Sequence, residues 1–300
     1  MSLKQFANSI NRILTNHHIN RGHGILKHLQ WQGRKMFNLF PFEQRISGSG
    51  IIASHRQCAV SALINSQGLY DYNNMKLIQE LLRGGGTFVD IGANIGSYAL
   101  IASENSSARV FAFEPHPITF QLLQKNIALN QRSNVSLHNV ALGSSEGTVF
   151  LTDRRGSSIN HIVPGSQQMP GTVAVPCHRM DHLCQITDIR PQIVKIDVEG
   201  FEYDVLLGFG HFISSVQVLM IEMNGLSDER SHGQQEIHSL LLSKGFSGPW
   251  TCRFDQRQML PAPDGISEDS LYVSSIFYHD YSRKGFTFVD DSCAVSLTHS

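Results

Sequence analysis

Four acidic residues sit where apolar runs give way to glycine or proline. Asp90 follows Phe88-Val89 and precedes Ile91-Gly92-Ala93-Asn94-Ile95-Gly96. Glu114 ends Val110–Phe113 and is followed by Pro115; Asp197 and Glu199 close the run that begins at Ile193, just before Gly200. A carboxylate inside an apolar strand is costly unless it is paired or put to use. The uses open to it are accepting from hydroxyls or cations and taking up a proton.

The first of these stretches, Thr87–Ser97, reads as strand, tight loop and helix start, with N–H groups at the helix N-terminus facing a ligand. Its glycines are spaced G-x-x-x-G around Asn94. Dinucleotide sites use G-x-G-x-x-G, which brings backbone against a pyrophosphate. Asp90 would repel a pyrophosphate and favour a ligand bearing ammonium and sulfonium groups. S-adenosylmethionine carries both and has no phosphate. A structural turn of any α/β sheet is the alternative, since a short glycine motif is weak evidence.

Glu114 lies 24 residues after Asp90, near the ~20-residue spacing at which an acid binds ribose hydroxyls. A surface acid capping the helix that begins at Pro117 is the alternative. Asn139 and Val140 fall where a third strand either flanks an adenine or simply ends. Strand alternation puts Lys195, Asp197 and Glu199 on one side. They form either a structural ion-pair network or an active mouth, with Asp197 near the methionine end of the cofactor and Glu199 facing the acceptor. Either carboxylate would accept a proton from a hydroxyl if burial raises its pKa. Asn160 and His161, in a polar loop, are candidate substrate contacts or a solvated surface. Cys177-His178 and His182-x-Cys184 hint at zinc, but the spacing matches no standard finger, and no metal is expected.

The elements that must position these residues follow from periodicity. The chain has 300 residues, 41% of them hydrophobic, and a net charge of -1. That suits one large domain, or one with an appendage, and gives no global sign of nucleic-acid binding. Locally, residues 1–45 hold Lys4, Arg12, Arg21, Lys27, Arg34, Lys35 and Arg45 against Glu43 alone. This basic excess is either a solvated arm or a contact for an anionic surface or substrate. No apolar run reaches the ~18 residues of a membrane span. The N-terminus lacks a signal-peptide core, and the scattered cysteines suit reduced thiols in the cytoplasm.

A helical arm is expected first, broken at Gly22 and Gly24, ended at Phe40-Pro41-Phe42 and followed by a loop at Ser47–Gly50. Asn74 is expected to cap a helix that Gly84–Gly86 stops. Strands follow at Arg109–Phe113 and Val135–Leu142, with a helix from Pro117 to Asn130 between them. Thr148–Leu151 and Thr172–Val175 read as short strands around a polar loop, Asp153–Gly171. Then come a strand at Ile193–Val198, a helix at Phe201–Leu207, and a strand at Val216–Met223 with Glu222 and Asn224 at its end. A helix through Ile237, Leu240 and Leu241 stops at Gly245. Antiparallel strands in Phe246–Phe254 and Ser270–Tyr278 close the domain. The order predicts an α/β, doubly wound sheet, mostly parallel with an antiparallel C-terminal strand. Its parts are an arm and lead-in (1–69), a main domain (70–280) and a polar tail (281–300). In such sheets the strand ends bearing Asp90, Glu114, Asn139, Asp197, Glu199 and Glu222 converge.

Taken in order, FVDIGANIGSYAL, VFAFEPHP, NVALG, IVKIDVEGFEYDVL and IEMN resemble the FkbM family of S-adenosylmethionine-dependent methyltransferases, from about Tyr70 to Phe277. The resemblance implies the class I, Rossmann-like methyltransferase sheet and O-methylation of hydroxyls on natural products, sugars or glycans. It implies that Asp90, Gly92, Asn94 and Gly96, with Ala93 among them, hold the methionine part. Glu114 then holds the ribose, and Asp197–Gly200 lines the cleft; Pro115, Asn139 and Val140, from the strand-end reading, complete the expected cofactor contacts. It does not assign a general base, for which Asp197, Glu199 and His161 are the candidates. The reaction expected is in-line methyl transfer to an oxygen of a small-molecule or glycan acceptor, helped mainly by alignment and exclusion of water. Rival readings are N- or carboxyl-methylation on the same fold, an NAD-dependent oxidoreductase, and a non-catalytic nucleotide-binding module.

Overall fold

Two helices open the chain where the sequence suggests a broken arm. A computed structural model describes residues 3–53, 58–153, 160–163, 169–223, 233–262, 269–274 and 284–289. In it α1 (Leu3–Thr15) is followed by α2 (Arg21–Met36). Gly22 and Gly24 do not interrupt α2; they form its first turn, where Asn20 Oδ1 accepts from the His23 N–H at 3.0 Å. That cap offsets the entropic cost of the glycines. Gly24 also lets α1 approach, since a Cβ there would crowd the Ile13 side chain. The expected loop at Ser47–Gly50 is the turn of a hairpin, β1 (Phe42–Ile46) and β2 (Ser49–Ala53). The outward Gly50 and Ile52 N–H groups of β2 donate to Asn130 and Asn126 Oδ1, both at 2.8 Å. Helix α3 (Ala59–Gln67) follows, and Ile46, Ile51 and Ile64 join the same core as the main sheet.

The remaining elements come in the order α4 (Tyr72–Leu81), β3 (Gly86–Ile91), α5 (Ser97–Ala102), β4 (Ala108–Phe113), α6 (Pro117–Leu129), β5 (Val135–His138), β6 (Ala141–Leu142), β7 (Gly147–Thr152), β8 (Ile162–Val163) and β9 (Thr172–His178). Then follow α7 (Met180–Ile186), β10 (Ile193–Ile196), α8 (Glu202–Gly208), β11 (Val218–Glu222), α9 (Gln234–Ser243), β12 (Phe246–Arg253), β13 (Gln258–Pro261), β14 (Asp269–Ser274) and β15 (Thr287–Phe288). The main sheet runs β15-β13-β12-β14-β11-β10-β3-β4-β5. Strands β5, β4, β3, β10 and β11 are parallel, and β14 returns antiparallel to β11. This is an α/β doubly wound arrangement, mostly parallel with an antiparallel C-terminal part. The central strands are buried on both faces. Phe88, Val110, Ala112, Ile193 and Met220 pack on one side, and Val89, Ile91, Phe111, Phe113, Val194 and Ile196 on the other. Such two-sided burial suits parallel strands.

Several boundaries depart from the periodicity. Helix α4 begins earlier than expected, with Asp71 at its N-cap; Asn74 lies in the first turn and donates to Asp71 Oδ2 at 3.1 Å. The strand expected at Val135–Leu142 is two strands. The Asn139 amide donates to the Glu114 and Pro115 carbonyls at 2.8 and 2.9 Å. That ends β5, and β6 turns into a second sheet of order β6-β9-β7-β8. The polar loop before Gly171 contains β8, antiparallel to β7, while 154–159 and 164–168 lie outside the described residues. β10 stops at Ile196, two residues early, because Glu199 and Gly200 adopt φ of 55° and 97°. The closing strands are not a plain hairpin. β12 pairs with β14 on one side and with β13 on the other. Asn224, the end of the expected strand at Ser275–Tyr278, and most of the tail fall outside the described residues. Among the described residues no helix is long and apolar enough to cross a membrane.

Candidate active site

After β3 the chain goes to β4 on one side, and β10 later pairs on the other. The carboxyl ends of β3, β4 and β10 therefore border a crevice at a switch point, where ligands of such sheets bind. The loops locking this corner are tight. Gly92 has φ of 79°, and a Cβ there would collide with the Asp197 carbonyl oxygen. The Asp197 N–H donates back to Ile91 O at 3.0 Å, and the Gly92 and Ala93 N–H groups both donate to Phe113 O at 2.9 Å. Asn94, at φ of 51°, turns the loop so that its own N–H meets Glu114 Oε2 at 2.9 Å. The other oxygen, Oε1, accepts from the His116 N–H at 2.9 Å. Burial pushes the Glu114 carboxyl up to about 7, against the pull of these two N–H groups, with Asp197 and Asp90 adding to the rise. Each oxygen keeps a lone pair for a further donor.

Beneath the loop lies a buried charge cluster. Asp90 and Lys195 are register partners across β3 and β10, so both project to the face that carries Phe88 and Ile193. Lys195 Nζ is 2.7 Å from Asp197 Oδ2. Burial works against the Lys195 charge, but Asp197 and Asp90 outweigh it and raise the pKa. Asp90 is 1% exposed, and its Oδ2 has no hydrogen-bond partner among the described residues. Burial pushes it up to about 6, with Lys195 opposing and Asp197 reinforcing the rise. The Tyr98 ring lies 5.0 Å from Lys195 Nζ, and the Tyr70 hydroxyl is 3.0 Å from Ser97 Oγ. Two carboxyl groups, Asp90 and Asp197, thus share one lysine. A cationic ligand fits that imbalance, as does a donor for the orphaned Asp90 oxygen; a pyrophosphate fits neither.

The cleft above the cluster has about 670 Å³ of space, counting its open mouth. Gly92, Asn94, Glu114, Pro115, Val140, Asp197 and Glu199 line it, as the sequence reading groups them. Asp90, Ala93, Gly96 and Asn139 do not. Asp90 is in the charge cluster below, Asn139 is spent on the backbone of β4, and Gly96 clears room for Leu123 at the start of α5. Lys195 and Asp197 obey strand alternation, but Glu199 does not, because it lies beyond β10 in a left-handed turn. Asn160 lines the cleft; His161 does not. The β7–β8 hairpin holds this edge, with the His161 N–H donating to Thr152 Oγ1 at 3.1 Å and Thr152 Oγ1 donating to Asn160 Oδ1 at 3.2 Å.

Sequence reasoning missed His116 and the apolar wall of Phe113, Leu142, Leu151, Ile162 and Phe201. His116 is buried, with Nε2 at 3.3 Å from Asp153 Oδ1 and Nδ1 at 3.4 Å from Thr119 Oγ1. Its place directly after Glu114-Pro115 was the available signal. The zinc-like cysteine and histidine run splits apart. Cys177 and Cys184 are buried thiols, both pushed by burial up to about 11. His178 and His182 meet Glu146 instead, at 2.6 and 3.1 Å.

Comparison with known proteins agrees with this geometry. The family model of the methyltransferase FkbM domain matches residues 90–247. The hexuronic acid methyltransferase AglP of Haloferax volcanii is 32% identical over 143 residues, which are 47% of this chain and 57% of that protein. The chain thus spans little more than half of AglP. Methyltransferase 1 of Beauveria bassiana is 30% identical over 184 residues, covering 53% of this chain and 71% of its own. Among solved structures, a precorrin-6y C5,15-methyltransferase from Geobacter metallireducens superposes with a TM-score of 0.37 at 15% identity, over 59% of this chain and 73% of that one.

Proposed function

Since the chain belongs to the FkbM methyltransferase family, a family dependent on S-adenosylmethionine, we propose that it O-methylates a hydroxyl of a sugar or glycan. When bound, S-adenosylmethionine supplies an electrophilic methyl group on a sulfonium. In this reading Glu114 accepts from the ribose hydroxyls, while Asn94 and Pro115 shape the same wall. Asp197, steadied by Lys195, faces the aminoacyl end, and Asp90 contributes charge from below. Val140 and the apolar wall exclude water from the reacting atoms. Glu199, at the rim of the cleft, takes the proton from the acceptor hydroxyl, and Asn160 orients the acceptor from the opposite edge. His161 is a weaker candidate for the base, because Asn160 and not His161 faces the cleft.

One observation carries the choice of acceptor. Among the described residues, those lining the cleft include Glu114, Asp197 and Glu199 but no Lys or Arg. Such a lining repels a carboxylate and accepts hydroxyl donors. The name of the AglP relative supports a sugar as the wider class, and the acidic lining favours a neutral one, with the methyl placed on a hydroxyl. The test is transfer of labelled methyl from S-adenosylmethionine to a panel of neutral sugars and uronic acids, followed by mild base. A methyl ether survives base and supports the proposal; a base-labile methyl ester would replace it with carboxyl methylation. Glu199→Gln should lower kcat by about 10²–10⁴-fold with cofactor affinity unchanged, as loss of a general base requires. Retained kcat would move the base elsewhere.

A further inference from the structure

Helix α2 turns an apolar face away from the protein. Leu26, Leu29 and Met36, with Phe37 and Leu39 just past its end, are 52%, 50%, 74%, 67% and 54% exposed. Positions 26, 29, 33, 36 and 37 recur at helical spacing, so they make one stripe, which Gly33 leaves smooth at its middle. The face that seats α2 is a different one, where Gly24, His28 and Trp31 are buried. Contiguous exposed apolar groups of this kind mark an interaction surface.

Charge identifies the partner. No Asp or Glu occurs before Glu43, whereas Lys4, Arg12, Arg21, Lys27, Arg34 and Lys35 do. Helical spacing sets Lys27 and Arg34 along one edge of the stripe. At the other edge Met36 also lines a cleft between α1, α2 and α3, with Arg12, His28, Gln32 and Lys35 around it and, among the described residues, no carboxylate in its lining. The apolar stripe is therefore bordered by cations on both sides. We propose that α2 lies flat on an anionic lipid bilayer, its stripe among the upper acyl chains and the flanking cations on lipid phosphates. The cleft beside Met36 receives a phosphate-bearing headgroup. A second copy of the chain is a poorer occupant, because it would bring two sets of cations together with only Glu43 on each arm to answer them.

Co-sedimentation of the full chain with vesicles tests this. Vesicles of equal parts phosphatidylcholine and phosphatidylglycerol should pellet the protein at least ~10-fold better than phosphatidylcholine alone, and salt should reverse the difference. Leu26→Glu combined with Leu29→Glu and Phe37→Glu should weaken pelleting about 10-fold, since it puts charge where acyl chains would lie. All three sites are exposed, so melting temperature and cofactor affinity should be unchanged. Should that variant misfold, Lys27→Gln with Lys35→Gln decides instead by removing the preference for anionic vesicles. The proposal is overturned if the wild-type chain stays in the supernatant with both vesicles, or if the folded variants pellet like wild type. It is also overturned if sedimentation equilibrium finds a dimer that Leu26→Glu dissociates.

Discussion

Glu114 and Glu146 are the same residue type in opposite circumstances. Each accepts backbone N–H groups. Glu146 Oε1 takes the Arg179 N–H at 2.7 Å, and its carboxylate also meets the imidazoles of His178 and His182. Burial is the largest single influence on it and acts to raise it, but these donors together outweigh that and hold it down to about 2. Glu114 has two backbone donors, no basic partner, and Asp197 and Asp90 nearby; burial pushes it up to about 7. The first acid is satisfied by its own chain. The second has a backbone donor on each oxygen but no counter-charge among the described residues. That difference separates a structural charge from a binding one, since perturbed groups short of a partner gather where a ligand completes them.

The sharpest way to break this comparison is to remove each acid in turn. Glu114→Ala should weaken S-adenosylmethionine by about 10²–10³-fold, or roughly 3–4 kcal/mol, in isothermal titration. Glu146→Ala should leave affinity within about 2-fold, since an exposed pair has little to transmit. Equal losses would erase the distinction.

A smaller effect is expected at Asp90, the second acid short of a partner. Asp90→Asn removes a buried charge at the expense of one counter-ion of Lys195. The ligand-free protein should gain about 1–2 kcal/mol at pH 8 while cofactor affinity falls about 10-fold. Chemical denaturation with and without cofactor reads both. Loss of stability in the free protein would mean that the Lys195 pairing outweighs the cost of burial.

The pH profile of ligand-free stability sharpens the contrast further. Glu114 ionises near 7 when folded but near its ordinary 4.5 when unfolded. Between those values the fold holds a proton that the unfolded chain has released, so stability falls as pH rises from 4.5 to 7. Cofactor affinity should climb over the same range as Glu114 and Asp90 become charged. Glu146 acts in reverse. Its contribution is present above 4.5 and is lost as pH falls toward 2, and solvent exposure keeps it small. Melting curves across pH would reveal either sign. The least effect belongs to the rim, where Asn160→Ala should raise the acceptor KM about 3–10-fold without changing cofactor affinity, the cost of one neutral hydrogen bond.

The half of the crevice built by β3, β4 and β10 was legible because its signals are local. Apolar runs ending in an acid and a glycine mark both a strand and its carboxyl end, and Lys195 and Asp197 followed strand alternation into a real ion pair. Glu199 did not, because a single left-handed residue resets the alternation and nothing in its side chain announces that. The other half was hidden. β6 and β8 are two residues each, too short for any period, and they exist only because β9 and β7 pair with them. The wall of Leu151 and Ile162 and the edge at Asn160 depend on those pairings. Gly22 and Gly24 misled for a related reason. Their local cost is real, but packing of α1 on α2 and the cap at Asn20 override it.

The most direct test is a crystal structure with S-adenosylhomocysteine bound. The account predicts the ribose hydroxyls on the Glu114 carboxylate and the aminoacyl end beside Asn94 and Asp197, above the Asp90–Lys195 pair. A corner left empty at saturating ligand, or the ribose seated away from Glu114, would contradict it.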